Sequence, residues 1–417
     1  MERKATLGAA LPRQERLATM NPLVSRDRIK FRFVEPGPTA PADVGSNDEI
    51  WLDVGNALRT GVIDHHQIAS ETDCSTGLVP RHQKLVSDAV NSEGDADVVI
   101  VLHQHPDLDC LGAAYLATHI LTTGKLPAGT QKLVDYVARV DQGYLTMTVR
   151  NPYTLYPAYS RLLEKAHKCE CVTCDQERWS SCMADGFTVI DYVLQQSIEQ
   201  QCELLEIDAY NCPALFTDVD RKSLLDDEHL YEAKLADPAT VARSGILTLP
   251  TQLGETVDAE TLLVRDVQGI GDADSCVFFK VWARSDEHHA PTHKGFCALS
   301  VFMPETTTTN RRCIISVRPE DGVNLSGLGA RLDREESNKR ISVNGVDDRT
   351  INAEDGSRLP SRPGYENADP WYDGRGHGYT IVDSPRSGTI LTADEIESSF
   401  VKFGHSDLGQ FVTLADG

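Results

Sequence analysis

Long apolar runs are missing from this chain. The longest, such as Val98–Leu102, fall far short of the roughly 20 residues that a membrane-spanning helix needs. Met1–Arg16 mixes charged and small residues and lacks the apolar stretch of a secretion signal. Basic residues are also scarce: 40 Lys+Arg stand against 63 Asp+Glu, a formal charge of −23. Proteins that grip long duplex nucleic acid draw affinity from neutralised phosphates, so this balance argues against such a partner. It favours a small phosphorylated ligand or a single chain end, although metal-binding carboxylates also add to the negative count. No P-loop, no G-x-S-x-G elbow, no dinucleotide-binding glycine fingerprint and no internal repeat occurs. The expectation is a soluble, cytoplasmic protein without a membrane partner, and a homodimer is compatible with it.

The 417 residues, 40% of them hydrophobic, suffice for two or three domains with substantial cores. Residues 1–45 read as a polar extension that closes on the Pro/Gly-rich stretch Glu35–Gly45, with one alternating run, Ile29–Val34, fit for a strand. From Asp48 the pattern changes. Ile50–Val54, Gly61–Ile63 and Val98–Leu102 are short apolar runs, each followed by a polar cluster, and Leu111–Leu121 and Gln131–Val140 have helical period. Strand, loop and helix in alternation predict an α/β domain with a parallel sheet over 46–150. Residues 151–250 read as a helical connector, in which Phe187–Leu205 carries apolar residues at helical spacing. Thr248–Thr261 reads as a linker. Residues 255–417 then form a smaller α/β domain with a mixed sheet. Its strands are placed at Leu262–Asp266, Cys276–Ala283, Phe296–Phe302, Arg312–Val317 and Tyr379–Val382, and its helices at Leu325–Glu336 and Ala393–Phe400. Residues 338–370 read as a long loop.

The sharpest motif is His103-Gln-His-Pro-Asp107-Leu-Asp109, between the apolar run Val98–Leu102 and a helix starting near Leu111. Ligands gather at the carboxyl ends of parallel strands. One imidazole and two carboxylates there suit Mn²⁺, Mg²⁺ or Zn²⁺. Gly112, Ala113 and Ala114 follow, small enough for the helix to approach the sheet closely. Two further groups lie at run ends: Asp53 in Trp51-Leu-Asp53-Val-Gly55, and Asp64-His65-His66 after Gly61-Val-Ile. Asp141 closes the helix Gln131–Val140. Any one of these has a plainer reading, since an Asp at a strand end commonly caps the next helix. Three concentrations together point to a pair of divalent metals sharing a bridging carboxylate.

Asp64-His65-His66, the H-x-x-x-D-x-D stretch and an isolated strand-end Asp resemble the DHH phosphoesterase superfamily. The resemblance implies metal ligation by His103, Asp107, Asp109, Asp53, His65 and Asp141. It places His66 near the scissile phosphate as a donor, with Asp64 beside it. The motif order departs from the family: Asp53 and Asp64-His-His precede H-x-x-x-D-x-D, as in a circular permutation. The chemistry requires adjacent strand ends and no particular chain order.

A second constellation lies in the C-terminal third. Arg318 and Asn324 lead into a helix, and Gly374-Arg375-Gly376-His377 follows the long loop. Glycines around a histidine let backbone approach a ligand, and Arg318, Arg375 and His377 are donors suited to phosphate oxygens. Many DHH enzymes carry a Gly-Gly-Gly-His motif that holds the nucleotide, and Gly374–His377 resembles a variant of it. Trp371 and Tyr372 beside it are candidates for base stacking, with burial the commoner fate. His167, Cys169, Cys171, Cys174 and Cys182 have the chemistry of a structural zinc, or of reduced thiols in a helical connection. The resulting expectation is a metal-dependent phosphodiesterase that attacks a nucleotide second messenger or short oligonucleotide through a water activated by two metals, Mn²⁺ or Mg²⁺. A single-strand exonuclease, a phosphoanhydride hydrolase and a non-catalytic nucleotide sensor remain the alternatives.

Overall fold

The computed structural model describes residues 22–66, 73–91, 96–144, 147, 151–166, 172–237, 239–265, 278–292, 294–305, 310–350, 369–374, 378–404 and 411–414. These form a mixed α/β structure with a five-stranded and a six-stranded sheet. The first lobe contains β1 (Ile29–Val34), β2 (Glu49–Leu52), β3 (Leu58–Arg59), β4 (Val62–Ile63), α1 (Ser75–Arg81), α2 (Gln83–Ser87), β5 (Val98–His103), α3 (Leu108–Thr123) and α4 (Thr130–Asp141). Its strand order is β1-β5-β2-β4-β3. The strands β1, β5, β2 and β4 run parallel, whereas β3 returns antiparallel to β4. The sheet expected to be parallel is therefore mixed, because Gly61, at φ +76°, lets the chain turn straight back from β3 into β4. The run Ile29–Val34, within the stretch read as an extension, is a full strand paired with β5 from Ile29↔Val98 to Val34↔His103.

Side chains of β5 alternate as a strand requires. Val98, Ile100 and Leu102 enter the main core, and Val101 enters a smaller cluster with Trp51, Val54 and Val62 on the opposite face. Helix α3 is buried nearly all round, from Leu108 to Leu121, as expected of a helix enclosed on several sides. Its Gly112 was expected to face the sheet. It faces α1 instead, where a Cβ on Gly112 would lie 2.5 Å from Thr76 Oγ1 and 2.9 Å from Thr76 Cγ2.

The connector region holds α5 (Leu155–Ala166), α6 (Val172–Gln200) and α7 (Asp218–Ala236). Trp179, Phe187, Val189, Ile190 and Val193 of α6 join the same core as β5 and α3.

The second lobe contains β6 (Val241–Pro250), β7 (Thr256–Arg265), α8 (Phe279–Ser285), β8 (Ala298–Met303), β9 (Arg312–Val317), α9 (Leu328–Asn344), β10 (Ile381–Asp383), α10 (Ala393–Phe403) and β11 (Val412–Thr413). The order is β10-β9-β8-β7-β6-β11, with only β7 and β8 parallel. Three expectations are corrected here. Thr248–Thr261 is no linker: β6 and β7 pair along their whole length, from Val241↔Arg265 to Pro250↔Thr256. Within Cys276–Ala283, read as a strand, Phe279–Ala283 is helical, and a short apolar run cannot by itself distinguish the two. Residues 338–344, assigned to the long loop, continue α9 to Asn344, where Gly345 at φ +79° ends it. Leu262 and Val264 of β7 face the main core, and Ala259 and Leu263 face the α9 and α10 side.

Gly112→Ala tests the α1–α3 approach. In an unconstrained helix the change favours stability by about 1 kcal/mol. Here overpacking against a hydrogen-bonded threonine costs about 1–3 kcal/mol, so the thermal midpoint should fall. A midpoint equal to or above wild type would show that Thr76 yields freely.

Candidate metal centre

Parallel strands end on one edge, and the sequence places its metal-binding residues there. In the register Leu52↔Ile63, Asp53 and Asp64 follow β2 and β4 side by side, and His103 ends the neighbouring β5. Asp53 adopts φ +57°, a left-handed conformation that Asp and Asn enter more readily than most residues. The turn lets its side chain reach both neighbouring strands.

Asp53 Oδ1 lies 3.5 Å from His65 Nε2, and Asp53 Oδ2 lies 3.4 Å from His103 Nε2. The two oxygens of one buried carboxylate thus face two different imidazoles. Asp107 Oδ2 is 3.6 Å from His103 Nε2, and Asp109 Oδ2 is 3.9 Å from His65 Nε2. Ligand atoms of Asp53, His103, Asp107 and Cys110 fall within 4.8 Å of one another, as do those of His65, Asp109 and Asp141. Asp53, His65 and His66 form a third such group. All six sequence-predicted metal ligands are therefore together.

The supporting bonds fit a cation. His103 Nδ1 is 2.8 Å from the Gln104 carbonyl oxygen, so it donates there and leaves Nε2 as an acceptor toward the cluster. Asp107 does what the plainer reading proposed and also faces the cluster: Oδ1 caps α3 by accepting from Asp109 and Cys110 N–H, both at 3.0 Å. Asp109 accepts the Ser75 and Thr76 N–H groups, both at 2.7 Å, and so holds the first turn of α1.

The electrostatics point the same way. Burial, with the charges of Asp53 and Asp141, pushes Asp109 well above the usual carboxylate range. Burial opposes ionisation of Asp53, but the imidazoles of His103, His65 and His66 around it hold it well below that range. Burial also works against charge on His65, yet Asp53, Asp141 and Asp109 raise it well above an ordinary imidazole. Buried carboxylates this close repel one another, and a divalent cation relieves that repulsion directly.

His66 is half-buried, and its ring is fixed by Asp64: Nδ1 lies 2.7 Å from Asp64 Oδ1. Asp64, fully buried, also accepts Asn56 N–H at 2.7 Å. The second histidine is thereby oriented by a carboxylate that belongs to none of the three candidate ligand groups among the described residues.

Several participants escaped the sequence reading. Cys110 Sγ is 3.6 Å from Asp53 Oδ2 and Ser75 Oγ is 3.1 Å from Asp53 Oδ1. Burial pushes the Cys110 thiol well above its ordinary range. Its position directly after Asp109 was the one available signal. The cleft over the cluster has a volume of about 320 Å³, and Arg386 of the second lobe lines it together with Asp53, Asp64, His66, His103 and Asp107.

The other candidates are less concentrated. Arg318 makes two bonds to Asp321, at 2.7 and 3.2 Å, and one to the Lys294 carbonyl oxygen at 3.0 Å. Asn324 Oδ1 accepts Ser326 N–H at 2.7 Å, a local turn bond. Arg375, Gly376 and His377 lie outside the described residues. Thr380, just beyond them, donates to the Gln142 carbonyl oxygen at 3.4 Å, beside Asp141. Trp371 is buried and donates to Glu336 at 3.3 Å, so it is a core residue and offers no stacking face. His167, Cys169 and Cys171 also lie outside the described residues. The side chain of Cys174 likewise lies outside the described residues, and Cys182 Sγ lies 3.4 Å from the Leu162 carbonyl oxygen.

No family model, no curated protein and no solved structure matches this chain.

Mn²⁺ should raise the thermal midpoint by several degrees, since a ligand at a hundred times its Kd adds about 2.7 kcal/mol per site. Asp53→Asn keeps a residue that tolerates the left-handed turn, so it should fold and lose that rise. A full Mn²⁺-dependent rise in Asp53→Asn would exclude Asp53 as the shared ligand.

Proposed function

We propose that the chain is a metal-dependent phosphohydrolase of the DHH kind, with permuted motif order, acting on a phosphodiester in a small nucleotide or short oligonucleotide. The observation that carries this reading is Asp53, whose two oxygens face His65 and His103 at 3.5 and 3.4 Å. That is the disposition of a carboxylate shared between two cations. His103 and Asp107 lie to one side of it, and His65, Asp109 and Asp141 to the other.

A metal pair held by these residues supplies an acidified water and Lewis-acid polarisation of phosphoryl oxygens. The remaining work belongs to the chain. His66, with Nδ1 directed at Asp64, presents its other ring nitrogen as a hydrogen-bond or proton donor to a phosphate oxygen. Asp64 holds the ring in that orientation. Burial opposes charge on Asp64, yet His66 beside it keeps the carboxyl below its ordinary range. Arg375 and His377 of the glycine motif are the proposed donors from the second lobe. The cleft volume of about 320 Å³ suits one phosphate with its nearest sugar more than a stretch of polymer. Net charge of −23 agrees with a small substrate.

The test is hydrolysis of a dinucleotide, a cyclic dinucleotide, a labelled single strand and pyrophosphate, with Mn²⁺ and with or without chelator. Chelator-sensitive cleavage of a dinucleotide is expected. Preference for the long strand or for pyrophosphate would move the assignment to an exonuclease or a phosphoanhydride hydrolase. Tight binding without cleavage would make it a sensor. His66→Ala should lower kcat by about 10²–10⁴-fold, the usual range for a positioned acid or base, and should keep the Mn²⁺-dependent thermal shift. Undiminished turnover would remove His66 from the chemistry.

A further inference from the structure

We propose that Arg386 is a further phosphate-binding residue that the second lobe supplies to the metal cleft, beside those of the glycine motif, and that Asp369 and Glu336 position it. This rests on the phosphohydrolase reading above.

Arg386 is the single arginine or lysine among the described residues that line the cleft. Asp53, Asp64 and Asp107 line it too, and an anionic wall without a facing cation repels an anionic substrate. A guanidinium there presents a planar fork that matches two phosphate oxygens.

The turn that carries Arg386 is over-determined. Asp369 is fully buried, and its two oxygens accept Arg386 N–H at 2.8 Å and Ser387 N–H at 2.7 Å. Glu336, also fully buried, accepts Ile390 N–H at 2.9 Å and the Thr389 hydroxyl. Arg340 pairs with Glu336 at 2.8 Å and donates to the Gly388 carbonyl oxygen at 2.7 Å. Gly388 has φ +94°, and a Cβ on it would lie 2.6 Å from Asn310 Cβ. Ser384 is locked to β9, donating to the Cys313 carbonyl oxygen at 2.9 Å and accepting Cys313 N–H at 3.0 Å.

Burying a carboxylate is costly unless hydrogen bonds satisfy it. Here the buried carboxylate of Asp369 directs both oxygens at the backbone of this turn, and buried Glu336 adds the Ile390 N–H while also holding the Thr389 hydroxyl, Arg340 and Trp371. Closing a strand does not require that. Holding one side chain at a fixed place over a reaction centre does. The arrangement parallels Asp64 and His66: a buried carboxylate accepts a backbone N–H at a residue that lines the cleft.

The experiment uses the full chain and the substrate identified by the hydrolysis panel. Arg386→Met should lower kcat/KM by about 10²–10³-fold, the effect of removing one positioned charge donor, while the Mn²⁺-dependent thermal rise stays at the wild-type value. Arg386→Lys should recover part of the loss. Asp369→Asn keeps the arginine but loosens its turn, and should raise KM with a smaller fall in kcat. An active wild type with Arg386→Met equally active overturns the proposal, as does loss of the Mn²⁺ response in Arg386→Met, which would place Arg386 with the metal ligands. Failure of the phosphohydrolase reading is recognised separately, by a wild type that cleaves nothing in the panel. Inorganic phosphate titrated calorimetrically with Mn²⁺ present then decides: at least tenfold weaker binding in Arg386→Met supports an anion site, and equal affinity overturns it.

Discussion

The carboxylate of Asp109 joins the fold to the site. It accepts the first two N–H groups of α1 at 2.7 Å each and faces His65 at 3.9 Å. It stands in the first turn of α3, and the Thr76 hydroxyl donates to its carbonyl oxygen at 3.0 Å. One residue thus fixes two helices and one imidazole. The neighbouring acids have the same double duty. Asp107 caps α3 through Oδ1 and turns Oδ2 to His103. Asp53 receives Ser75 on one oxygen and Cys110 on the other while facing both imidazoles. Charges that would oppose one another in isolation are tolerated because donors hold most of their lone pairs. A substitution here disturbs helix placement and ligand geometry together, so loss of function at these positions separates the two causes only when folding is measured too.

The two lobes meet at the same edge. Arg284 is buried, and its guanidinium donates to the Gly143 carbonyl oxygen, two residues past Asp141, and to Val317 at 2.7 Å. Arg139 and Glu320 add an ion pair at 4.0 Å, half-exposed and therefore weak. The main core runs from β5 and α3 through α7 to α8 and one face of the second sheet. A rigid-body opening of the lobes would have to break the Arg284 bridge and part an apolar contact.

Much of the first lobe could be read from the chain. Val98–Leu102 is an uninterrupted apolar run buried on both faces, and His103, Asp107 and Asp109 follow it at fixed spacing. Local pattern carried that information. The hairpin β6–β7 was hidden because Pro250, Gly254 and Asp258 resemble linker composition, and only pairing across the hairpin defines the strands. Phe279–Ser285 was hidden because an apolar segment of that length fits either period. The pairing of Arg318 with Asp321, three residues on, was not legible in spacing either. Arg386 was invisible in sequence: Ser-Pro-Arg-Ser-Gly is an ordinary turn, and its place beside a candidate metal cluster some 280 residues earlier comes from tertiary structure alone.

The position of β5 bears on how the chain reaches this state. It lies between β1 and β2 and pairs with both, yet it follows both in the chain. On a growing polypeptide the two flanking strands emerge first, each with a hydrogen-bonding edge turned toward a partner that does not yet exist. The sheet closes when the last-made strand inserts between them, a non-local step that is intrinsically slow. Until then the nascent chain displays apolar strand edges of the kind that recruit other chains. The same insertion delivers His103 to Asp53, so the candidate ligand cluster is assembled only in the step that buries the sheet.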